Sequence, residues 1–183
     1  MDKTRALKEI RERVKNENLV RHMLATEAIM RALAQRFGGN EEEWAMAGLL
    51  HDIDVEIVNG DMQEHSRKGA DIVRQLGAGE AITHAILTHN EAHGIPPESN
   101  MDKALFCADP LTGLITAAAL IRPEKKLALV EAKSVRKRFK EKSFAAGANR
   151  ENIARCSALG MELDAFIELG LKAMQDVAAE LGL

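Results

Sequence analysis

Trp44-Ala45-Met46-Ala47-Gly48-Leu49-Leu50-His51-Asp52-Ile53-Asp54 is an apolar run that ends on a histidine and an aspartate side by side. Trp44, Ala47 and His51 recur at helical spacing, so the run reads as a helix from Glu41 to Ile53 with His51 on its buried stripe. An ionisable group on a buried face is costly unless something pairs with it. A divalent cation is a partner that satisfies His51 and Asp52 together, and the rest of the chain can be read for residues that would join them.

Upstream lies an amphipathic helix. Leu19, His22, Thr26, Ile29 and Leu33 fall three or four apart, and Phe37-Gly38-Gly39-Asn40 ends the pattern. His22 therefore interrupts an apolar face. Ahead of it, a polar helix from Lys3 to Lys15 stops at Asn16-Glu17-Asn18. Downstream, Asp54 to Asp61 reads as a loop with a turn at Asn59-Gly60. Met62 to Leu76 leads into a helix on which His65, Gly69 and Ile72 share a face, and Gly69 suits the close approach of another backbone.

The next helix runs from Gly79 to about His93, with Ile82, Ile86 and His89 turned inward. His84 lies about 140° around from His89 on a 3.6-residue turn, so the two cannot serve one cation. His84 is left to reach a substrate or to pack, and His93 reads as a solvated C-terminal cap. Met101 to Ile121 is apolar and interrupted at Asp109-Pro110, which reads as a helix start with Asp109 as N-cap. The same kink would aim the Asp109 carboxylate at the cation, with Thr112 and Gly113 lining the pocket.

A basic stretch follows Pro123, with Arg136 and Lys140 at i and i+4. It is either a solvated face or a rim that binds substrate phosphate. Asn149 or Asn152 opens the last helix. Its stripe of Leu159, Leu163, Phe166, Gly170, Met174, Val177 and Leu181 suits core packing or the interface of a homodimer.

The composition is 46% hydrophobic with a net charge of -3, which predicts no bulk attraction to polymeric nucleic acid or to an acidic membrane. Aromatic residues are 3% of the chain and tyrosine is absent, so platforms for stacking bases are not expected. The longest apolar tract, Leu111 to Ile121, is too short to span a bilayer. No apolar run follows Met1-Asp2-Lys3-Thr4-Arg5, so no signal peptide is expected, and Cys107 and Cys156 read as reduced buried thiols of a cytoplasmic protein. Helix formers dominate and alternating patterns are scarce, so the fold class is all-α, in one domain spanning 1–183.

Taken in order, His22, His51-Asp52, His65, His89 and Asp109 resemble the HD-domain superfamily of metal-dependent phosphohydrolases. The wording matches at Leu-Leu-His-Asp-Ile (49–53), Glu-His-Ser-Arg-Lys-Gly-Ala (64–70) and Ala-Ile-Leu-Thr-His-Asn-Glu (85–91). The resemblance implies an HD-type helical bundle with a core at about 18–121, and basic and C-terminal helices over 123–183 packed on it as an extension. It implies metal ligands His22, His51, Asp52 and Asp109, and in binuclear members a bridging Asp52 with His65 and His89 on a second ion.

Manganese, iron, nickel, zinc and magnesium all suit such ligands. Asp52 and His89 are the expected catalytic residues, and Arg136, Lys140, Thr112 and His84 the expected substrate contacts. The expected activity is hydrolysis of a small phosphorylated substrate, a nucleotide first, by metal-activated water. The alternative is a non-catalytic HD module that holds a metal or nucleotide and acts through a partner.

Three departures from family patterns bear on the substrate. Asp54 and Val55 stand where many members have the glycine and lysine of HDIGK. Asn90 and His93-Gly94-Ile95-Pro96-Pro97 replace the second histidine and GYP turn of the cyclic-dinucleotide branch, which argues against cyclic-di-GMP. Asp54 and Glu56 only partly match the acidic pair of alarmone hydrolases.

Overall fold

Asn16, Asn40, Ser99 and Asn149 each accept a backbone N–H with the side chain at a helix start, and they set the main boundaries of the chain. The computed structural model describes all 183 residues and contains no strand. Its helices are α1 (Lys3–Arg13), α2 (Glu17–Phe37), α3 (Glu41–Leu50), α4 (Arg67–Gln75), α5 (Glu80–Thr88), α6 (Asn100–Leu120), α7 (Ala132–Phe139), α8 (Arg150–Ala154), α9 (Leu163–Asp176) and α10 (Ala178–Leu181). The all-α expectation holds.

The two long helices, α2 and α6, form the frame. α3 crosses α2 at Gly48, where a Cβ would lie 2.8 Å from the Thr26 carbonyl oxygen, so any side chain there would push the helices apart. α9 covers α2 and α6 from the C-terminal side, and one apolar cluster of 46 buried residues runs from Ala6 to Leu181. α6 has the length and composition of a membrane-crossing helix, but most of it is buried among the other helices.

Several boundaries differ from the sequence expectation. α3 ends at Leu50 and α5 at Thr88, because His51 and His89 occupy the C-cap positions. Each imidazole donates Nδ1–H to the carbonyl three residues back, His51 to Gly48 at 2.8 Å and His89 to Ile86 at 2.6 Å. Those carbonyls belong to the last turn and lack helical partners, so the two side chains close both helices. Residues 51–66 form a chain of turns, and α4 starts only at Arg67.

α6 is continuous through Pro110, so Asp109 is a mid-helix residue and not an N-cap. The ring removes one intrahelical hydrogen bond, a cost that the buried length of α6 outweighs. The single C-terminal helix expected from Asn149 or Asn152 is divided into α8, a 3-10 turn at Arg155–Leu159, α9 and α10, with Gly160 at φ +70° before α9.

Candidate metal centre

Four imidazoles and two carboxylates from separate elements meet at the inner ends of these helices. His22 comes from α2, His51 and Asp52 from the end of α3, His65 from the turn segment, His89 from the end of α5 and Asp109 from α6. His22 Nε2 is 3.1 Å from His51 Nε2, 3.0 Å from Asp109 Oδ1 and 3.6 Å from Asp52 Oδ2. His51 Nε2 is 3.5 Å from Asp52 Oδ1 and 3.7 Å from Asp109 Oδ1. On the other side, His65 Nε2 and His89 Nε2 approach Asp52 Oδ1 at 3.4 and 3.5 Å. Asp52 thus stands at the middle of the cluster, with Oδ2 turned toward His22 and Oδ1 shared among His51, His65 and His89.

Every imidazole has its Nδ1 engaged and its Nε2 aimed at this cluster. His51 and His89 use backbone carbonyls. His65 Nδ1 donates to Asp54 Oδ1 at 2.9 Å. Thr112 Oγ1 donates to the Asp109 carbonyl at 2.7 Å, so it accepts from His22 Nδ1 at 2.8 Å. Fixing one ring nitrogen as N–H leaves the other as a lone pair, which is how metal-binding histidines are held. Ligand bonds of about 2.1 Å to one cation put neighbouring donor atoms about 3.0–3.4 Å apart in octahedral or tetrahedral geometry. The observed separations fall in or just above that span, and two sets of donors, His22 with His51 and Asp109 and His51 with Asp52 and His89, lie close enough together to hold a divalent cation, while His65 joins them through Asp52.

Electrostatics point the same way. Burial acts to depress His51, but the Asp52 and Asp109 carboxylates overcome it and lift its pKa to about 9. Burial opposes ionisation of Asp52 too, yet His51, His89 and His22 hold it below the usual carboxylate range. Asp109 is held down likewise, against burial, by His22 and His51. His65 is raised against burial by Asp54 and Asp52. The cluster is a place of mutual charge compensation, where protons and a cation would compete for the same nitrogens.

A cleft of ≈ 290 Å³ opens on the centre, lined by Asp52, His65, His89 and Asp109 with Met62, Asn90, Glu91, Pro110, Gly147, Asn149 and Asn152. Asp109 and His22 are the members left most open, at 31% and 23% side-chain exposure. The Asn149 and Asn152 amides donate to Glu91 at 3.4 and 3.3 Å across the mouth. A second groove, ≈ 830 Å³, adjoins the cleft through Gly147 and Asn149 and is lined by Phe139, Lys140, Lys142 and Arg150 among others.

The expected substrate contacts divide. Lys140 lines the adjoining groove. Arg136 does not line the cleft: its guanidinium pairs with Asp164 of α9 and sits 5.4 Å from the centre of the Phe139 ring. Thr112 is buried and spent on His22, so its role is to orient a ring. His84, on the far side of α5, bonds Asp102 at 2.9 Å, and that aspartate closes the capping box of α6. Gly113 lines a separate cavity of ≈ 370 Å³ that touches His22 with Arg21 and Leu183.

Further residues acquire roles that their sequence positions did not reveal. Asp54 and Glu56 do not face the cleft. Asp54 is buried beneath His65, and Glu56 accepts from the N–H groups of Lys15 and Asn16 at 2.9 and 2.8 Å. His93 is no solvated cap. Its Nε2 donates to the His65 carbonyl at 2.6 Å, and its Nδ1 accepts from Arg67 at 3.1 Å. Asn90 donates to the Met62 and His65 carbonyls at 2.8 and 3.1 Å. The one sequence signal for Asp54 was an acid where the family has glycine; Asn90 and His93 carried none beyond proximity to His89.

The HD domain family matches residues 19–144. Ribonuclease Y of Oleidesulfovibrio alaskensis is 31% identical over 98 residues, 54% of this chain and 18% of that protein. Ribonuclease Y of Syntrophobacter fumaroxidans is 33% identical over 97 residues, 53% of this chain and 18% of that protein. Ribonuclease Y of Sulfurovum sp. is 29% identical over 153 residues, 82% of this chain and 28% of that protein. The chain therefore spans less than a third of the length of these relatives, and no solved structure matches it. With a family match that covers more than half of the sequence and includes all six residues of the centre, the chain belongs to the HD-domain superfamily of metal-dependent phosphohydrolases.

Proposed function

We propose that the chain hydrolyses a phosphate ester of a small molecule, with nucleotides as the leading substrate class. The observation that carries this reading is the convergence of four imidazole Nε2 atoms and two carboxylates at the floor of an open cleft. His22, His51, Asp52 and Asp109 would hold one cation, and His65 and His89 a second that shares Asp52. Such a cation supplies Lewis acidity toward the phosphoryl oxygens and lowers the pKa of water.

The protein's own part is orientation and charge. Asp52 sits between the two sets of imidazoles and fixes their spacing. The cleft is polar and admits a phosphoryl group at Asp109 and His89, while Asn149, Asn152 and Glu91 frame its entrance. Lys140 and Lys142 on the adjoining groove offer positive charge to the anionic remainder of a substrate.

A second reading takes its support from the relatives named Ribonuclease Y: cleavage of an RNA phosphodiester, with the basic groove along the strand. The net charge of -3 and the scarcity of aromatic residues weigh against it.

The test is phosphate release from mononucleotides, dinucleotides and triphosphates, beside cleavage of a short RNA oligonucleotide, each with manganese, nickel, zinc or magnesium. Turnover of a small nucleotide supports the first reading, and RNA cleavage alone supports the second. Cation binding with no turnover of any substrate rejects both and favours a binding module.

A further inference from the structure

Asp54 is fully buried, two residues beyond the His51-Asp52 pair. Its carboxylate accepts three hydrogen bonds. His65 Nδ1 donates to Oδ1 at 2.9 Å, and the N–H groups of Ser66 and Gly69 each donate to Oδ2 at 2.8 Å. The last two belong to the N-terminus of α4, where Ser66 makes no side-chain cap. Asp54 therefore caps α4 from a distance and holds the ring of His65 with the other oxygen.

The surroundings are shaped for this carboxylate. A Cβ on Gly69 would lie 3.2 Å from Asp54 Cγ and 3.3 Å from Oδ2, so what approaches Gly69 is a side chain and not the backbone expected from sequence. Ser66 adopts φ +65°, a left-handed conformation that a serine rarely takes without support. Here the support is the Asp54 carboxylate on its N–H and the Leu87 carbonyl on its hydroxyl at 3.1 Å. With Nδ1 so engaged, His65 presents Nε2 to Asp52 at 3.4 Å.

We propose that Asp54 is the positioning residue for the half of the centre formed by His65 and His89, and that it decides whether a second divalent cation is held there. The inference rests on the metal-centre reading and refines it. An amide in place of the carboxylate offers one acceptor oxygen where three N–H groups converge, and it lacks the charge that makes the His65 ring a better donor.

Manganese titrations by calorimetry, with bound ions counted by elemental analysis, test this on the wild-type chain, D54N, H65A and G69A. The wild type is expected to take two ions. D54N is expected to keep the ion at His22, His51 and Asp109 and to bind the other about 10–100-fold more weakly. H65A should reproduce that selective loss, and D54N/H65A should add little to either change alone. G69A, which presses a Cβ against the carboxylate without altering its charge, should weaken binding of the same ion.

If D54N binds both ions as tightly as the wild type, or merely melts earlier with its ion count unchanged, the assignment falls while the metal centre stands. A wild type that takes a single ion also overturns it, and one that takes none sinks the metal centre as well. Should the variants fail to fold, nitrogen NMR of the zinc-loaded wild type decides. A proton on His65 Nδ1, protected from exchange, is the expected result, and a bare Nδ1 overturns the proposal.

Discussion

His51 sits where burial and charge oppose each other most directly. Its ring is fully buried, yet two carboxylates keep it protonated up to about pH 9. The protonated ring cannot bind a cation, so the proton is the cation's competitor. Because the folded-state pKa is raised, the metal-free protein gains stability from this proton at low pH and loses it as pH climbs from about 6.5 to about 9. Cation affinity runs the other way and should fall about tenfold for each pH unit below about 9, with release of about one proton from His51 on binding. Calorimetry in two buffers of different ionisation enthalpy measures that release, and an affinity that ignores pH would contradict it. Thr112 makes a matching case. Thr112→Val keeps the shape but leaves His22 Nδ1–H without an acceptor, so the affinity for the ion on His22 should drop at least about tenfold. Thr112→Ser, which retains the hydroxyl, should bind that ion nearly as the wild type does. Equal affinity in all three would mean that the hydroxyl does not orient His22.

Among the elements, the ends of α3 and α5 show what periodicity conveys and what it omits. The apolar stripe of each helix runs straight into its histidine, so the inward direction of His51 and His89 was legible. The exact stop was not, because it depends on a ring nitrogen reaching a carbonyl three residues back, a bond with no sequence pattern. The join at Asp109-Pro110 was misread for a related reason: proline is a good helix starter, and only the burial of α6 on both sides keeps that helix whole. The stretch after α7 was legible only as basic. Its organiser is Arg150, whose guanidinium donates to the carbonyls of Ala145 at 2.8 Å, Ala148 at 2.6 Å, Phe139 and Glu141 at 3.3 Å, and also Phe144. One side chain thus folds the loop that brings Gly147 and Asn149 to the cleft. Arg150→Ala should cost about 1–3 kcal/mol, since several carbonyls lose a charged donor at once. Limited proteolysis should then cut within 139–149 while the centre still takes its cation. A loop that stays resistant would show that other contacts shape it.

At the scale of the whole molecule, a cation held at the centre would work as a fastener. Its ligands come from α2, the end of α3, the turn segment, the end of α5 and α6, and none of these elements can supply more than two. The apolar cluster already holds the helices together, so the fold does not wait for a cation, but a bound cation adds its binding energy to the native state alone. At about 1,000 times its dissociation constant an ion contributes about 4 kcal/mol, and a chain of this size gains about 2–4 °C of melting temperature per kcal/mol. Chelation should therefore lower the melting temperature by about 8–16 °C at that level of saturation. Asp52→Ala makes the comparison specific, because Asp52 is the one residue within reach of all four imidazoles. That variant should keep its helical circular dichroism, because one polar side chain at the cluster carries little of the apolar packing. Its melting temperature should no longer respond to cation or chelator. A wild type indifferent to chelation would show that the helices converge without a cation to join them, and an Asp52→Ala that still responds would place the ion elsewhere in the bundle.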